Sequence, residues 1–173
     1  MFLRSLIVKN YRSLENVRLE DLDRFNVLIG RNNSGKSSIF GALQHLSNRV
    51  RQGNINMSRV LTDLDPSRSL EITLMFELRT QDRRDYLDLL RVSDNRKEAL
   101  LSSPLFEYVE FHFEAPAGQP ELLNLQETRV RTEDAKWATT QRRTGDLTSE
   151  HAQSTMVLIE AIRDPSISGS TWE

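Results

Sequence analysis

The chain contains no cysteine. A disulfide framework, a thiolate metal site and a cysteine nucleophile are excluded together. No apolar run approaches the ~20 residues that a membrane helix needs. The opening Met1-Phe2-Leu3-Arg4 lacks the long apolar core of a signal peptide, so a cytoplasmic protein with no membrane contact is the expectation. Neither sign of charge dominates: 23 Lys and Arg against 25 Asp and Glu leave a net charge of −2. Any nucleic-acid surface must therefore be a local patch. The candidates Arg83-Arg84, Arg129-Val130-Arg131 and Arg142-Arg143 are short and sit among Asp82, Asp85, Glu127, Glu133 and Asp134. That is the pattern of a solvated mixed-charge face. His45, His112 and His151 do not pair at metal-ligand spacing. No internal repeat or low-complexity tract is present. What remains is 173 residues, 38% hydrophobic and 28% charged, enough for one domain or one lobe of a larger one.

Against that plain background one segment stands out. Gly30-Arg31-Asn32-Asn33-Ser34-Gly35-Lys36-Ser37 matches the phosphate-loop pattern of two glycines separated by four residues, followed by lysine and a hydroxyl. The glycines allow a tight backbone path and keep side chains away where a phosphate approaches. Amide groups from Asn33 to Ser38 can then turn inward towards the anion. Lys36 supplies a point charge for the outer phosphates, and the Ser37 hydroxyl can sit on Mg²⁺. Context strengthens the motif. Phe25 to Ile29 before it is apolar and β-rich, and reads as a buried strand. After it, Ile39, Leu43 and Leu46 recur at helical spacing to about Asn48, with Phe40 and Ala42 beside that stripe. Strand, glycine loop and helix place a helix N-terminus at the phosphates.

The rest of the chain is mostly strand. Phe2 to Asn10, Glu15 to Glu20, Ser69 to Leu78, Phe106 to Glu114, Leu122 to Arg131 and Ala135 to Arg142 carry strand patterns. Helices are expected from Gln81 to about Arg91 and from Asn95 to Ser102, and a loop over 50–68. Thr155 to Ile159 reads as a short apolar strand, and Pro165 to Glu173 as a tail or the start of a linker. The expected class is α/β with α+β character: antiparallel hairpins around a central strand–loop–helix, in a nucleotide-binding lobe over 1–164. The open parallel sheet of adenylate kinases and small GTPases needs alternating strand–helix units, which this chain does not show.

Three stretches together resemble the N-terminal lobe of ABC-type ATPases of the SMC/RecF/OLD group. Leu6-Ile7-Val8-Lys9-Asn10-Tyr11-Arg12-Ser13-Leu14 is similar to the opening motif of those proteins. Asn26 to Ile39 is similar to their phosphate-loop signature. Leu158 to Pro165 looks like a strand-plus-"AxRD" segment of OLD-type members. The resemblance implies a P-loop NTPase fold, binding of ATP and Mg²⁺, and head-to-head dimers with each nucleotide between two subunits. It also implies work on or around DNA, in repair, chromosome organisation or defence against phage, with a Toprim nuclease following in OLD-type members. Carried over residue by residue, Asn32, Asn33, Ser34, Gly35, Lys36, Ser37 and Ser38 are the cofactor-binding positions, with Ser37 the magnesium ligand. Arg12 is the basic residue of the opening motif, which in relatives often lies near nucleotide or DNA. Asn10 and Ser13 read more simply as turn formers between two strands.

Hydrolysis would require more. Phosphoryl transfer uses a second carboxylate on Mg²⁺, a residue that orients water, and charge at the transition state. The family takes these from an apolar strand ending in Asp-Glu and from a partner's signature serine loop. Neither is legible here: Met156 to Glu160 has Ile159 where the magnesium-binding Asp should stand, and Ser168-Gly169-Ser170 is a lone fragment. Glu160 and Gln126 are the catalytic candidates, and Gln126 and Gln119 are the alternatives for a glutamine at the lobe junction. The sequence thus describes the ATP-grasping half of an ATPase, completed by more chain or by another subunit. The alternative is a nucleotide-gated scaffold that does not turn ATP over.

Overall fold

A computed structural model describes residues 2–52, 65–89, 93–102, 107–131 and 137–141. The strand patterns fold into one six-stranded sheet. Its strands are β1 (Phe2–Tyr11), β2 (Leu14–Leu19), β3 (Leu70–Glu77), β4 (Tyr108–Ala115), β5 (Asn124–Arg131) and β6 (Trp137–Gln141), ordered β2-β1-β3-β4-β5-β6 with every neighbouring pair antiparallel. The helices are α1 (Lys36–Gln52), α2 (Thr80–Leu89) and α3 (Asp94–Ser102).

The sheet follows from strict alternation. In β3, Leu70, Ile72, Leu74 and Phe76 are buried, and the intervening Glu71, Thr73, Met75 and Glu77 are half-buried. In β4 the buried set is Val109, Phe111, Phe113 and Ala115. Side chains two residues apart share a face, so these strands present one apolar side. Register aligns them: Leu74 pairs with Leu6 on β1 and with Phe111 on β4, and the Phe76 and Phe111 rings meet edge to face. Ile39, Ala42 and Leu46 of α1 join the same core, as the helical spacing predicts. Helix α1 thus packs on the end of β1 nearest the β1–β2 turn.

The opposite face carries ion pairs. Glu71 accepts a hydrogen bond from Lys9 at 2.7 Å, and this holds its carboxyl below the usual glutamate range. Arg129 is tied to Glu127 and Glu110. Burial raises the Glu110 carboxyl, with Arg129 pulling the other way. Arg129 is therefore paired within the sheet, which removes one of the two arginines of a basic cluster noted in the sequence.

One element departs from the sequence reading. Residues 25–29 form no strand, and among the described residues they have no sheet partner. Phe25 is 83% exposed, Val27 62% and Ile29 90%, whereas Leu28 turns inward against the core. Within this run only Leu28 is even half-buried, and Phe25, Val27 and Ile29 stand exposed. Local sequence specified an extended apolar segment, but burial depends on a neighbour that local sequence does not name. The other boundaries shift modestly, the largest being α1, which extends to Gln52. The segments 142–173 lie outside the described residues, including Thr155 to Ile159, Glu160, His151, Arg142-Arg143 and the tail.

Candidate functional site

The phosphate loop sits at the N-terminus of α1, where the helix begins at Lys36. The Ile39 amide closes the first helical turn on the Gly35 carbonyl at 3.0 Å. The amides of Lys36, Ser37 and Ser38 have no carbonyl four residues back inside the helix, which leaves them to face an anion. No acidic residue occupies the first turn, so no side chain there repels a phosphate.

The two motif glycines act for different reasons. Gly35 has φ of +86°, a left-handed conformation that favours glycine. A Cβ there would also stand 2.9 Å from Leu14 Cδ2. Gly30 instead makes room: its Cβ would lie 2.7 Å from Ser34 Oγ. Asn33 supplies the other left-handed residue, at φ +67°. Asparagine tolerates this geometry better than most residues. The Ser34 amide closes a turn on the Arg31 carbonyl at 3.2 Å.

Lys36 folds back across this loop. Its ammonium donates to the Gly30 carbonyl at 2.6 Å, to the Arg31 carbonyl at 2.7 Å and to Ser34 Oγ at 3.2 Å. The charge is thereby centred over the loop that carries the free amides. Asn32, Ser34 and Ser37 are exposed, and Ser38 is half-buried. The arrangement presents an ammonium, several amides and exposed hydroxyls to one small region. It suits a phosphate chain, with Ser37 at the helix start able to ligate a divalent cation.

The turn between β1 and β2 closes on this site. Ser13 Oγ lies 3.4 Å from Ser38 Oγ. A Cβ on Gly41 would meet the Tyr11 hydroxyl at 3.2 Å and Arg12 Nη1 at 3.5 Å. The Arg12 guanidinium stands 5.6 Å from the Tyr11 ring centroid. Asn10 and Arg12 both have positive φ, at +54° and +50°, so the turn-former reading of Asn10 holds. Asn10 also binds away from the site: its amide donates to the carbonyls of Asp65 and Arg68, and its carbonyl accepts from the Asp65 amide.

The glutamines are placed differently. Gln126 is exposed at a register shift between β4 and β5. Its strand lies three steps across the sheet from β1, about 14 Å at the usual strand spacing. Gln119 sits in the turn after β4, where its amide bonds to the Pro116 carbonyl. That turn approaches the 65–68 segment that Asn10 binds, through Gly118 near the Pro66 carbonyl. His112 points away from the core and bonds to Thr73 at 3.0 Å. His45 is the residue the sequence undervalued: it contacts Tyr11 and so joins α1 to the turn. A phenol one residue before the motif arginine and a histidine one helical turn after Gly41 were the available signals.

Comparison with known proteins points to an ATPase domain. The AAA ATPase domain family matches residues 1–162. An ATP/GTP phosphatase of Helicobacter pylori (strain ATCC 700392 / 26695) is 24% identical over 97 residues. That alignment covers 55% of this chain and 26% of the relative, so the chain spans about a quarter of the length of that protein. A solved structure from work on ATP-driven dimerization and DNA-stimulated activation of SMC ATPases superposes with a TM-score of 0.50 at 13% identity, over 100% of this chain and 87% of that one. At that identity the likeness concerns the fold.

Proposed function

The chain belongs to the AAA ATPase domain family, and from that premise we propose that it is the ATP- and Mg²⁺-binding lobe of an SMC/RecF/OLD-like ATPase. The observation that carries this reading is the Lys36 ammonium held over the Gly30–Ser34 loop at the start of α1. Asn32, Asn33, Ser34, Gly35, Lys36 and Ser38 would surround the phosphates, Ser37 would hold Mg²⁺, and Arg12 would approach from the β1–β2 turn. Magnesium would neutralise the outer phosphates; the chain's part is to bind and orient them.

The solved SMC neighbour concerns proteins that dimerise on ATP and respond to DNA. We extend both properties to this lobe: two copies, or this lobe and a complementary subunit, would close on ATP in a DNA-linked assembly serving repair or phage defence. The nucleotide-gated scaffold is a second reading, favoured by the exposed apolar side chains of Phe25, Val27 and Ile29, which would be covered by a partner.

Lys36→Ala tests the first reading. An ammonium about 4 Å from a phosphate at an effective dielectric near 20 contributes about 4 kcal/mol, or roughly 10³-fold in affinity. Calorimetric titration with ATP·Mg²⁺ should show that loss. Unchanged affinity refutes nucleotide binding at this loop. Phosphate release by the full assembly that depends on Lys36 would exclude the scaffold reading.

A further inference from the structure

We propose that His45 and Tyr11 form a positioning pair that sets the Arg12 guanidinium against α1 at Gly41, in the turn whose Ser13 meets the phosphate loop, a role resting on the nucleotide-binding reading above. The pair spans two elements far apart in sequence. The Tyr11 hydroxyl bonds to His45 Nδ1, and the rings lie 5.6 Å apart, tilted by 47°. His45 Nδ1 also lies 2.7 Å from the Gly41 carbonyl. A carbonyl can only accept, so this arrangement requires the Nδ1–H tautomer, with its one proton shared between the Gly41 carbonyl and the Tyr11 oxygen, both accepting. The tyrosine oxygen then meets a nitrogen whose direction α1 has already set.

Arg12 depends on that phenol. Its guanidinium stands over the Tyr11 ring, and both groups crowd the same helical residue: a Cβ on Gly41 would be 3.2 Å from the hydroxyl and 3.5 Å from Arg12 Nη1. Gly41 lies five positions after Lys36 on one helix, and His45 lies one turn beyond Gly41. Arg12 itself holds a left-handed backbone, at φ +50°. The turn is fixed on its other flank by Asn10 and next to the loop by Ser13. Asn10, Tyr11 and Ser13 are each anchored, and Arg12 stands over the ring that the Tyr11–His45 bond holds. A guanidinium held in place before its ligand arrives loses less conformational freedom on binding. Tyr11 and His45 thus act on the phosphates through Arg12, without touching them.

The test is a mutant cycle read by ATP·Mg²⁺ titration, with thermal melts to confirm folding. Tyr11→Phe keeps the buried ring and removes the hydroxyl. His45→Ala, at a half-buried position, is the milder change if Tyr11→Phe folds poorly. Each should weaken ATP·Mg²⁺ by about 3- to 10-fold, the range expected for coupled neighbours. His45→Gln, which retains an N–H donor, should recover most of the loss. In an Arg12→Ala background the same substitutions should have no further effect. The imidazole ¹⁵N shifts of His45 should report an Nδ1–H tautomer in the wild type and change in Tyr11→Phe. Equal losses with and without Arg12, or wild-type affinity in Tyr11→Phe and His45→Ala, overturn the proposal while leaving nucleotide binding intact. A wild-type protein that binds ATP no better than Lys36→Ala overturns the underlying reading as well, and is told apart by that comparison.

Discussion

Replacing Gly35 by alanine should be among the most damaging single-methyl additions in the molecule. Two costs act at once. At φ +86° an L-residue meets the clash of its Cβ with its own backbone, about 1–2 kcal/mol. The added methyl also lies 2.9 Å from Leu14 Cδ2, and Leu14 is buried in the core at 3% exposure. It cannot swing into solvent, and overpacking of this kind costs about 1–3 kcal/mol. The sum is about 2–5 kcal/mol, which for a chain of this size lowers the melting temperature by roughly 4–20 °C. Gly30→Ala provides the control. Its methyl meets Ser34 Oγ most closely, with Ser34 Cβ and Lys36 Nζ next, all side-chain atoms of the loop rather than the core, so it should affect ATP affinity more than stability. Circular dichroism melts and urea titrations of the two variants make the comparison. The Leu14→Val, Gly35→Ala double variant should regain the packing cost but keep the backbone cost. A Gly35→Ala protein within ~0.5 kcal/mol of wild type, the ordinary range for a surface change, would refute the argument from φ and close approach.

Leu74 is fully buried between Leu6 and Phe111, so Leu74→Ala should cost about 2–5 kcal/mol in urea unfolding. Asn10→Ala removes three hydrogen bonds to the 65–68 segment and places alanine at positive φ; we expect a loss of about 2–4 kcal/mol and faster proteolysis near residue 65. The Glu71 carboxyl is held low, chiefly by the Lys9 hydrogen bond, so its contribution is present above the usual glutamate range and lost as pH falls through the lowered value. Lys9→Met should flatten that acid-side decline in stability measured across pH. Glu110 has the opposite sign: burial raises its carboxyl, so its contribution is lost as pH rises through the raised value, and Glu110→Gln should weaken that loss.

Much of the site was legible because it is local. Eight consecutive residues contain both the loop and its chemistry, and the apolar spacing of Ile39 and Leu46 already announced the helix that carries it. Alternation in β3 and β4 announced the sheet, since a strand with one dry face must write that face into every second residue. Segment 25–29 shows the limit. Its composition says extended and apolar, but whether such a run is covered depends on a neighbouring strand, and pairing partners are not a property of the run itself.

The order of the strands, the docking of the β1–β2 turn on α1 and the partnership of Tyr11 with His45 belong to the tertiary structure. Residues 34 positions apart meet there only because β1 packs beside α1 and Gly41 leaves room. Arg129 is a parallel case: its sequence neighbours, Glu127 among them, already suggested a mixed-charge face, while Glu110, nineteen residues earlier, shares its charge across the sheet only because the strands pair. Short-range chemistry is encoded by the identity and spacing of adjacent residues. Long-range contacts are decided by which faces can be buried together, and that is settled only once the whole chain has packed.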